Sequence, residues 1–299
     1  VFPGQGSQSV GMLKELAAQF SLVTNTFNEA SAALGYDLWN VTQGDDATQL
    51  NQTHITQPAL LTASVAAYRV LSSESDISPA FLAGHSLGEY SALTCAGVLS
   101  LPDAVKLVRA RGEFMQQAVS GISGAMYAII GLADNRIIEI CAQVAEQTGQ
   151  IVSAVNFNSP GQVVIAGQSD AVAKASSLCK EAGAKRALPL AVSVPSHCEL
   201  MTPAAEKLAE LLTDITFNKP VIKVVNNVDV NIEHDPDKIK NALLRQLYLP
   251  VRWTESVLYL SDQGVTDIIE VGPGKVLTGL NKRINKSLVL SSFSQPSDL

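Results

Sequence analysis

The sequence is short of charge, of paired cysteines and of long apolar runs. Only 16% of its 299 residues are charged, and acids exceed bases to a net charge of −7. An acidic chain has no broad basic face to offer a phosphate backbone, so nucleic acid is excluded as a partner. No stretch approaches the ~18 uninterrupted apolar residues of a membrane-spanning helix, so no membrane partner is expected either. The opening Val1-Phe2-Pro3-Gly4 reads as part of a strand and has neither the basic start nor the apolar stretch of a signal peptide. Cys95, Cys141, Cys179 and Cys198 are widely spaced and form no CxxC pair. They read as reduced thiols, as in cytoplasm. His54, His85, His197 and His234 are scattered too, so no cluster has the spacing of a metal site. What the chain does have is 46% hydrophobic residues, enough to bury a sizeable core, which excludes general disorder.

Short apolar runs alternate with longer amphipathic stretches, which predicts an α/β fold. Residues 79–83 read as a short buried strand, 89–99 as a helix, and Ser100-Leu101-Pro102-Asp103 as the start of another helix reaching Ala118. A different rhythm begins near Gly124. Strands are expected at 125–132, 151–157, 162–166 and 185–192, and helices at 134–147 and 169–182, with a turn at Asn158-Ser159-Pro160-Gly161. The order β-α-β-β-α-β is that of a ferredoxin-like unit. Residues 122–193 are therefore read as a small subdomain inserted into a larger unit made of 1–121 and 194–299. In that larger unit, 203–212 and 236–247 look helical, 221–225 and 267–271 look like strands, and the polar final dozen residues are expected to fray.

Gly84-His85-Ser86-Leu87-Gly88 matches the Gly-x-Ser-x-Gly elbow that presents a nucleophilic serine on a tight strand-to-helix turn. Alone the pattern arises by chance in about one chain in ten of this length. Its place after an apolar run and before a helix gives it weight, against the plainer reading of a Gly-rich turn with a capping serine. A serine hydroxyl needs a base. His85 is adjacent in sequence, where side chains diverge, and reads as a packing residue, whereas His54 and His234 sit in polar, loop-like contexts. A lone histidine is more often structural than catalytic. The serine's need reverses that for His197, which lies between an expected strand and an expected helix.

Gly4-Gln5-Gly6-Ser7-Gln8 lacks the third glycine of a dinucleotide fingerprint, and Gly272-Pro273-Gly274-Lys275 lacks the spacing of a phosphate loop. Nucleotide-binding readings fail. The first loop can offer a backbone N–H to an oxyanion, or be a simple turn. Arg109 and Arg111 fall on the helix after the elbow, where an arginine facing a site could bind a carboxylate and one facing out would be solvated.

Together these pieces resemble the malonyl-CoA:acyl carrier protein transacylase family of bacterial fatty acid synthesis. The resemblance rests on Phe2-Pro3-Gly4-Gln5-Gly6-Ser7-Gln8, Gly84-His85-Ser86-Leu87-Gly88-Glu89-Tyr90-Ser91, Arg111-Gly112, Val194-Pro195-Ser196-His197, Gln246-Leu247-Tyr248 and Glu270-Val271-Gly272-Pro273-Gly274, in the family's order and across essentially the whole chain. It implies a hydrolase-like α/β core with a parallel sheet and an inserted ferredoxin-like subdomain. It implies Ser86 as nucleophile, His197 as base, and the main-chain carbonyl of Gln246 as the group that orients the imidazole. Backbone N–H groups of Gln5 and Leu87 would form the oxyanion hole, Arg111 would hold the free carboxylate of malonate, and Asn156 would lie near the acyl pocket. The implied partners are malonyl-CoA and acyl carrier protein, with the CoA thioester a substrate, no cofactor, and a monomeric enzyme. Ser196 is small and gives little protection against an α-methyl group on the substrate. A carrier of acidic character would need a local basic patch, and Lys185 with Arg186, or Lys275, Lys282, Arg283 and Lys286, are the densest candidates.

Two other readings compete. A serine hydrolase or thioesterase would release the acyl group to water, but the sequence shows no obvious acid partner for the histidine and does carry Arg111. A non-catalytic docking subunit would need none of Ser86, His197 and Arg111.

Overall fold

The computed structural model describes residues 1–192 and 194–299. The chain opens with helices α1 (Lys14–Gln19), α2 (Ser21–Leu34), α3 (Leu38–Gln43), α4 (Ala47–Leu50) and α5 (Thr53–Glu74). Helix α5 is buried on nearly every face, from Ile55 through Leu71. A helix enclosed on all sides carries no clean polar stripe. Strand β1 (Phe81–Ala83) and helix α6 (Leu87–Cys95) flank the serine turn, and α7 (Leu101–Ala118) follows. Ser100 starts α7 by accepting the Asp103 N–H at 3.2 Å, with Pro102 in the first turn where its missing N–H costs nothing.

The next elements are β2 (Gly124–Ile130), α8 (Asp134–Thr148), β3 (Val152–Ser159), β4 (Gln162–Gln168), α9 (Ser169–Glu181) and β5 (Arg186–Pro189). They form one antiparallel sheet of order β3-β4-β2-β5. Ile129, Val163 and Ile165 on one face pack with Ile137, Ile140 and Val144 of α8 and Val172 of α9 in a core of their own. Met126, Ala128, Val155 and Val164 on the other face join the main core. The outer strand β3 is tied to the rest of the chain where Val251 N–H donates to Val155 O at 2.9 Å and Phe157 N–H donates to Val251 O at 3.0 Å.

The chain closes with α10 (Thr202–Leu212), β6 (Lys223–Val225), α11 (Pro236–Tyr248), α12 (Trp253–Asp262), β7 (Asp267–Val271), α13 (Val276–Ile284) and β8 (Val289–Phe293). β1 pairs in parallel with β6, and β7 with β8. Val1 and Phe2 lie between the two pairs. Phe2 N–H donates to Ala83 O at 2.9 Å, and Val271 N–H donates to Val1 O at 2.8 Å. The order β6, β1, residues 1–2, β7, β8 brings the chain's opening loop and the serine turn to the same edge. Among the described residues no helix is long and apolar enough to cross a membrane.

Several expectations shift. Helix α6 starts at Leu87 rather than residue 89 and ends at Cys95, because Ser86 is its cap and Gly97, at φ 77°, turns the chain away. The turn expected at 158–161 is tighter, since β3 runs on through Ser159. β5 keeps only four residues. The chain's end does not fray: β8 pairs along β7 from Val289 to Phe293, and Phe293 is 1% exposed. Its apolar residues are hidden among serines, which is why the segment reads as polar.

Candidate active site

Ser86 sits between β1 and α6 with φ 52° and ψ −108°, a positive-φ conformation that costs a serine free energy unless its surroundings hold it. The glycines on either side explain the turn. A Cβ on Gly84 would stand 1.9 Å from the Gly88 carbonyl carbon, and one on Gly88 would stand 2.2 Å from Phe2 O. Asn227, just beyond β6, clasps the turn from below. Its Oδ1 accepts the Ser86 N–H at 2.8 Å, and its Nδ2 donates to Gly84 O at 2.8 Å.

The Ser86 Oγ lies 2.8 Å from His197 Nε2, and His197 Nδ1 lies 2.6 Å from Gln246 O. A carbonyl oxygen can only accept, so Nδ1 carries the ring proton and Nε2 is left with the lone pair that faces the hydroxyl. His197 also has a positive φ, 64°, and its N–H is held by Leu247 O at 3.0 Å. The end of α11 therefore fixes both the backbone and the tautomer of the base. Burial first, then the neighbouring Arg111, hold its pKa down to about 3.

Arg111 projects from α7 and is 2% exposed. Its Nη1 donates to Gln57 Oε1 at 2.9 Å and its Nη2 to Gln246 Oε1 at 3.1 Å, with Ser86 Oγ 3.5 Å away. Nε has no hydrogen-bond partner among the described residues, the guanidinium lies 5.4 Å from the centre of the Tyr90 ring, and burial lowers its pKa. Among the described residues no carboxylate stands at ion-pair distance from it. Buried cations are ordinarily paired, so this one is set up to receive an anion.

These groups open onto a cleft of about 220 Å³ lined by Gln5, Ser86, Leu87, Arg111, Asn156 and His197, with apolar walls from Met126, Val164, Leu277 and Leu280. The structure thus brings together every site residue expected from the sequence, with Gln246 directly behind the base. Leu87 is the first residue of α6, where backbone N–H groups lack a helical acceptor. Asn156 is 6% exposed at an irregularity in the β3–β4 register. Arg109 lies elsewhere, paired with Glu113 at 3.0 Å on a half-exposed face. His85 packs against Trp253 and shares a 2.7 Å hydrogen bond with Asn158. His54 belongs to α5 rather than to a loop, because Asn51 and Gln52 end the loop just before it.

Sequence reasoning missed Gln57, Asn227, the side chain of Gln246 and the buried carboxyl of Glu89. Glu89 Oε2 accepts from Gln246 Nε2 at 2.8 Å and from Asn227 N–H at 2.9 Å. Burial raises its pKa to about 7, against the opposing pull of those two hydrogen bonds and of Arg111. One signal was available: a carboxylate in the otherwise apolar first turns of the helix behind a nucleophile.

An elbow serine, a histidine on a carbonyl and a buried cation in an apolar cleft define a serine-dependent acyl-transfer site. The acyl transferase domain model matches residues 1–291, and the chain belongs to the acyl transferase family. It is 63% identical over 297 residues to the malonyl CoA-acyl carrier protein transacylase of Escherichia coli (strain K12), covering 99% of this chain and 96% of that protein. It is also similar to the crystal structure of an acyl carrier protein S-malonyltransferase from Vibrio cholerae, with 62% identity, a TM-score of 0.97, and 99% and 96% of the two chains covered. A malonyl-transacylase solved in complex with a type II PKS acyl-carrier protein matches with 57% identity, a TM-score of 0.97 and the same coverage.

Proposed function

We propose that this chain is a malonyl-CoA:acyl carrier protein transacylase that supplies malonyl groups for fatty acid elongation. The observation that carries the reading is the buried Arg111 guanidinium 3.5 Å from the Ser86 hydroxyl, with no carboxylate at ion-pair distance among the described residues, a place for an acyl group that ends in a carboxylate. The close relatives named above support the same substrate and acceptor.

The reaction runs in two mirrored halves. Ser86 Oγ attacks the thioester carbon of malonyl-CoA while its proton passes to His197 Nε2. The oxyanion of the tetrahedral intermediate lies against the N–H groups of Leu87 and Gln5, and one such donor is typically worth ~3–4 kcal/mol. The carbon–sulfur bond then breaks, and the CoA sulfur takes the proton from His197. In the second half the phosphopantetheine thiol of acyl carrier protein gives its proton to His197 and attacks the malonyl-serine ester; the ester carbon–oxygen bond breaks, and His197 returns the proton to Ser86 Oγ. Thioester and ester are comparable acyl donors, so the enzyme mainly supplies orientation and charge stabilisation. No step calls for a cofactor. Arg111 holds the malonate carboxylate through both halves, which disfavours acetyl-CoA by leaving a buried cation unpaired. Asn156 lies against the acyl group.

The same reading gives the architecture its names. Residues 1–121 and 194–299 form a hydrolase-like core around the parallel strands, and 122–192 form a ferredoxin-like subdomain that supplies one wall of the cleft; residue 193, the last of the expected subdomain, lies outside the described residues. Nucleophile, base and arginine all come from one chain, so a monomer suffices, in cytoplasm where both substrates are made. A thioesterase would have little use for a carboxylate-binding cation beside its nucleophile.

The test is an intact-mass measurement after mixing the protein with malonyl-CoA alone. A malonyl adduct on the native protein, absent from Ser86→Ala and cleared by adding acyl carrier protein, is the expected result. CoA and free malonate accumulating without an adduct would identify a hydrolase instead.

A further inference from the structure

The acyl-transfer steps above leave the buried carboxyl of Glu89 without a task. It is 2% exposed, on the first turn of α6, directly behind the nucleophile. A single oxygen, Oε2, receives both Gln246 Nε2 and the Asn227 N–H. Each donor goes on to hold a reacting group. Gln246 Nε2 is also 3.0 Å from Ser86 O, its main-chain oxygen takes the His197 Nδ1–H, and its Oε1 takes Arg111. Asn227 clasps both ends of the Ser86 turn. One carboxylate oxygen therefore stands one residue behind nucleophile, base and guanidinium alike.

Accepting two N–H groups does not require a carboxylate; an amide oxygen does so without the penalty of burying an ion. A negative charge has a use where positive charge develops. During acylation the Ser86 proton moves to His197, and an imidazolium forms near Arg111 with only a neutral carbonyl behind it. We propose that Glu89 is the positioning acid of this site: through Gln246 and Asn227 its carboxylate holds His197 and Ser86 in register and offsets the charge that develops on the imidazole during malonyl transfer. Glu89 takes no proton itself, because an amide side chain and a peptide unit stand between it and the ring. The proposal rests on the acyltransferase reading above. The charged groups that face Glu89 are Arg111 from α7 and Asp229 and Glu233 from the segment after β6, with His197 reached through Gln246. With a pKa held near 7, Glu89 changes charge in the range where the reaction is run.

The experiment is the burst of CoA release from malonyl-CoA, followed between about pH 5.5 and about pH 9, for the native protein, Glu89→Gln and Glu89→Asp, with thermal unfolding of each. The native burst rate is expected to rise through an inflection near pH 7. Glu89→Gln is expected to be about tenfold to a hundredfold slower, with half-saturation by malonyl-CoA changed less than about twofold and the inflection gone. Glu89→Asp is expected to recover part of the rate and the inflection. A Gln variant that acylates at the native rate, or that keeps the inflection, overturns the proposal. So does a native profile that is flat from about pH 6 to about pH 8, a result that needs no variant to fold. Absence of any malonyl adduct on the native protein overturns the transferase reading, and this proposal with it, before the variants are compared.

Discussion

Arg111 places its Nη2 3.5 Å from the Ser86 hydroxyl while the amide oxygens of Gln57 and Gln246 hold the guanidinium from either side. Both amides are neutral, so they fix the plane of the guanidinium without discharging it. The charge is kept for a ligand. Its position beside the nucleophile puts an anion held there a few atoms from the reacting carbonyl, a spacing that suits the proposed malonyl group.

Replacing this residue separates binding from chemistry. Arg111→Ala should lower kcat/KM for malonyl-CoA by about a hundredfold to a thousandfold, the cost of deleting one partner of a buried hydrogen-bonded charge pair. Arg111→Lys should recover only part, since an ammonium lacks the planar fork. Transfer from acetyl-CoA, which leaves the native guanidinium unpaired, should be unchanged or faster in Arg111→Ala. Equal losses with both substrates would remove Arg111 from selectivity.

The base should stay neutral well into acid. Burial and then Arg111 push His197 down to about 3, so its ring does not charge in the range where an ordinary histidine does. Nitrogen NMR of labelled imidazole should show one neutral tautomer, protonated at Nδ1, from about pH 8 to about pH 5. In Arg111→Ala the midpoint should move up, because one of the causes is gone. The linkage follows in sign: the unfolded histidine binds a proton near 6.5 and the folded one does not, so this group's contribution to stability is present above 6.5 and is lost as pH falls from there towards 3.

Glu89 has the opposite sign. Its folded pKa is raised from 4.5 to about 7, so between these values the native state holds a proton that the unfolded chain has released. Its contribution to stability is present below 4.5 and is lost as pH rises towards 7. The difference in Tm between Glu89→Gln and the native protein should therefore grow in favour of the variant as pH rises across that window, whatever its value at the acid end. Calorimetry at a series of pH values reads this directly. A constant difference would mean that Glu89 does not titrate there.

The parts of the site that were legible in the sequence are those whose chemistry fixes a local pattern. The tight turn around Ser86 needs glycines at Gly84 and Gly88 because backbone atoms pass within van der Waals distance, and that need is written in five consecutive residues. His197 became legible only through the serine's need for a base. Gln57 and Asn227 left no such trace, and Glu89 left only a lone carboxylate in the first turn of its helix. Gln57 meets Arg111 across 54 residues, and Glu89 meets Asn227 across 138, so the folded chain alone makes them neighbours. The same holds for the fold. The amphipathic helices α8 and α9 were visible, whereas α5, buried on nearly every face, has no clean stripe to detect, and β8 hides its buried Phe293 behind serines.

The exposed basic residues on the elements that wall the cleft are the candidates for docking an acidic carrier. Helix α13 gives Leu277 and Leu280 to the cleft wall and carries Lys282 and Arg283 in its last turn, with Lys275 just before it and Lys286 just after, all exposed. Exposed Lys185 and Arg186 lead through β5 into Leu188, Leu190 and Val192, which are 43%, 37% and 36% exposed, and the last two line the cleft. The two clusters meet at one end of the small sheet, where Arg283 Nη1 donates to Gln162 Oε1 at 2.6 Å and Ile130 pairs with both Gln162 and Arg186, a local basic patch suited to an acidic partner on a chain that is acidic overall. Charge reversal at both clusters should raise KM for acyl carrier protein by about tenfold at low salt. The effect should shrink as added salt shortens the Debye length towards ~3 Å. Acylation by malonyl-CoA, measured without the carrier, separates the two negatively charged substrates. A loss confined to the second half-reaction assigns the clusters to the carrier, a loss in both assigns them to the phosphates of CoA as well, and an unchanged KM for the carrier would place its docking surface elsewhere.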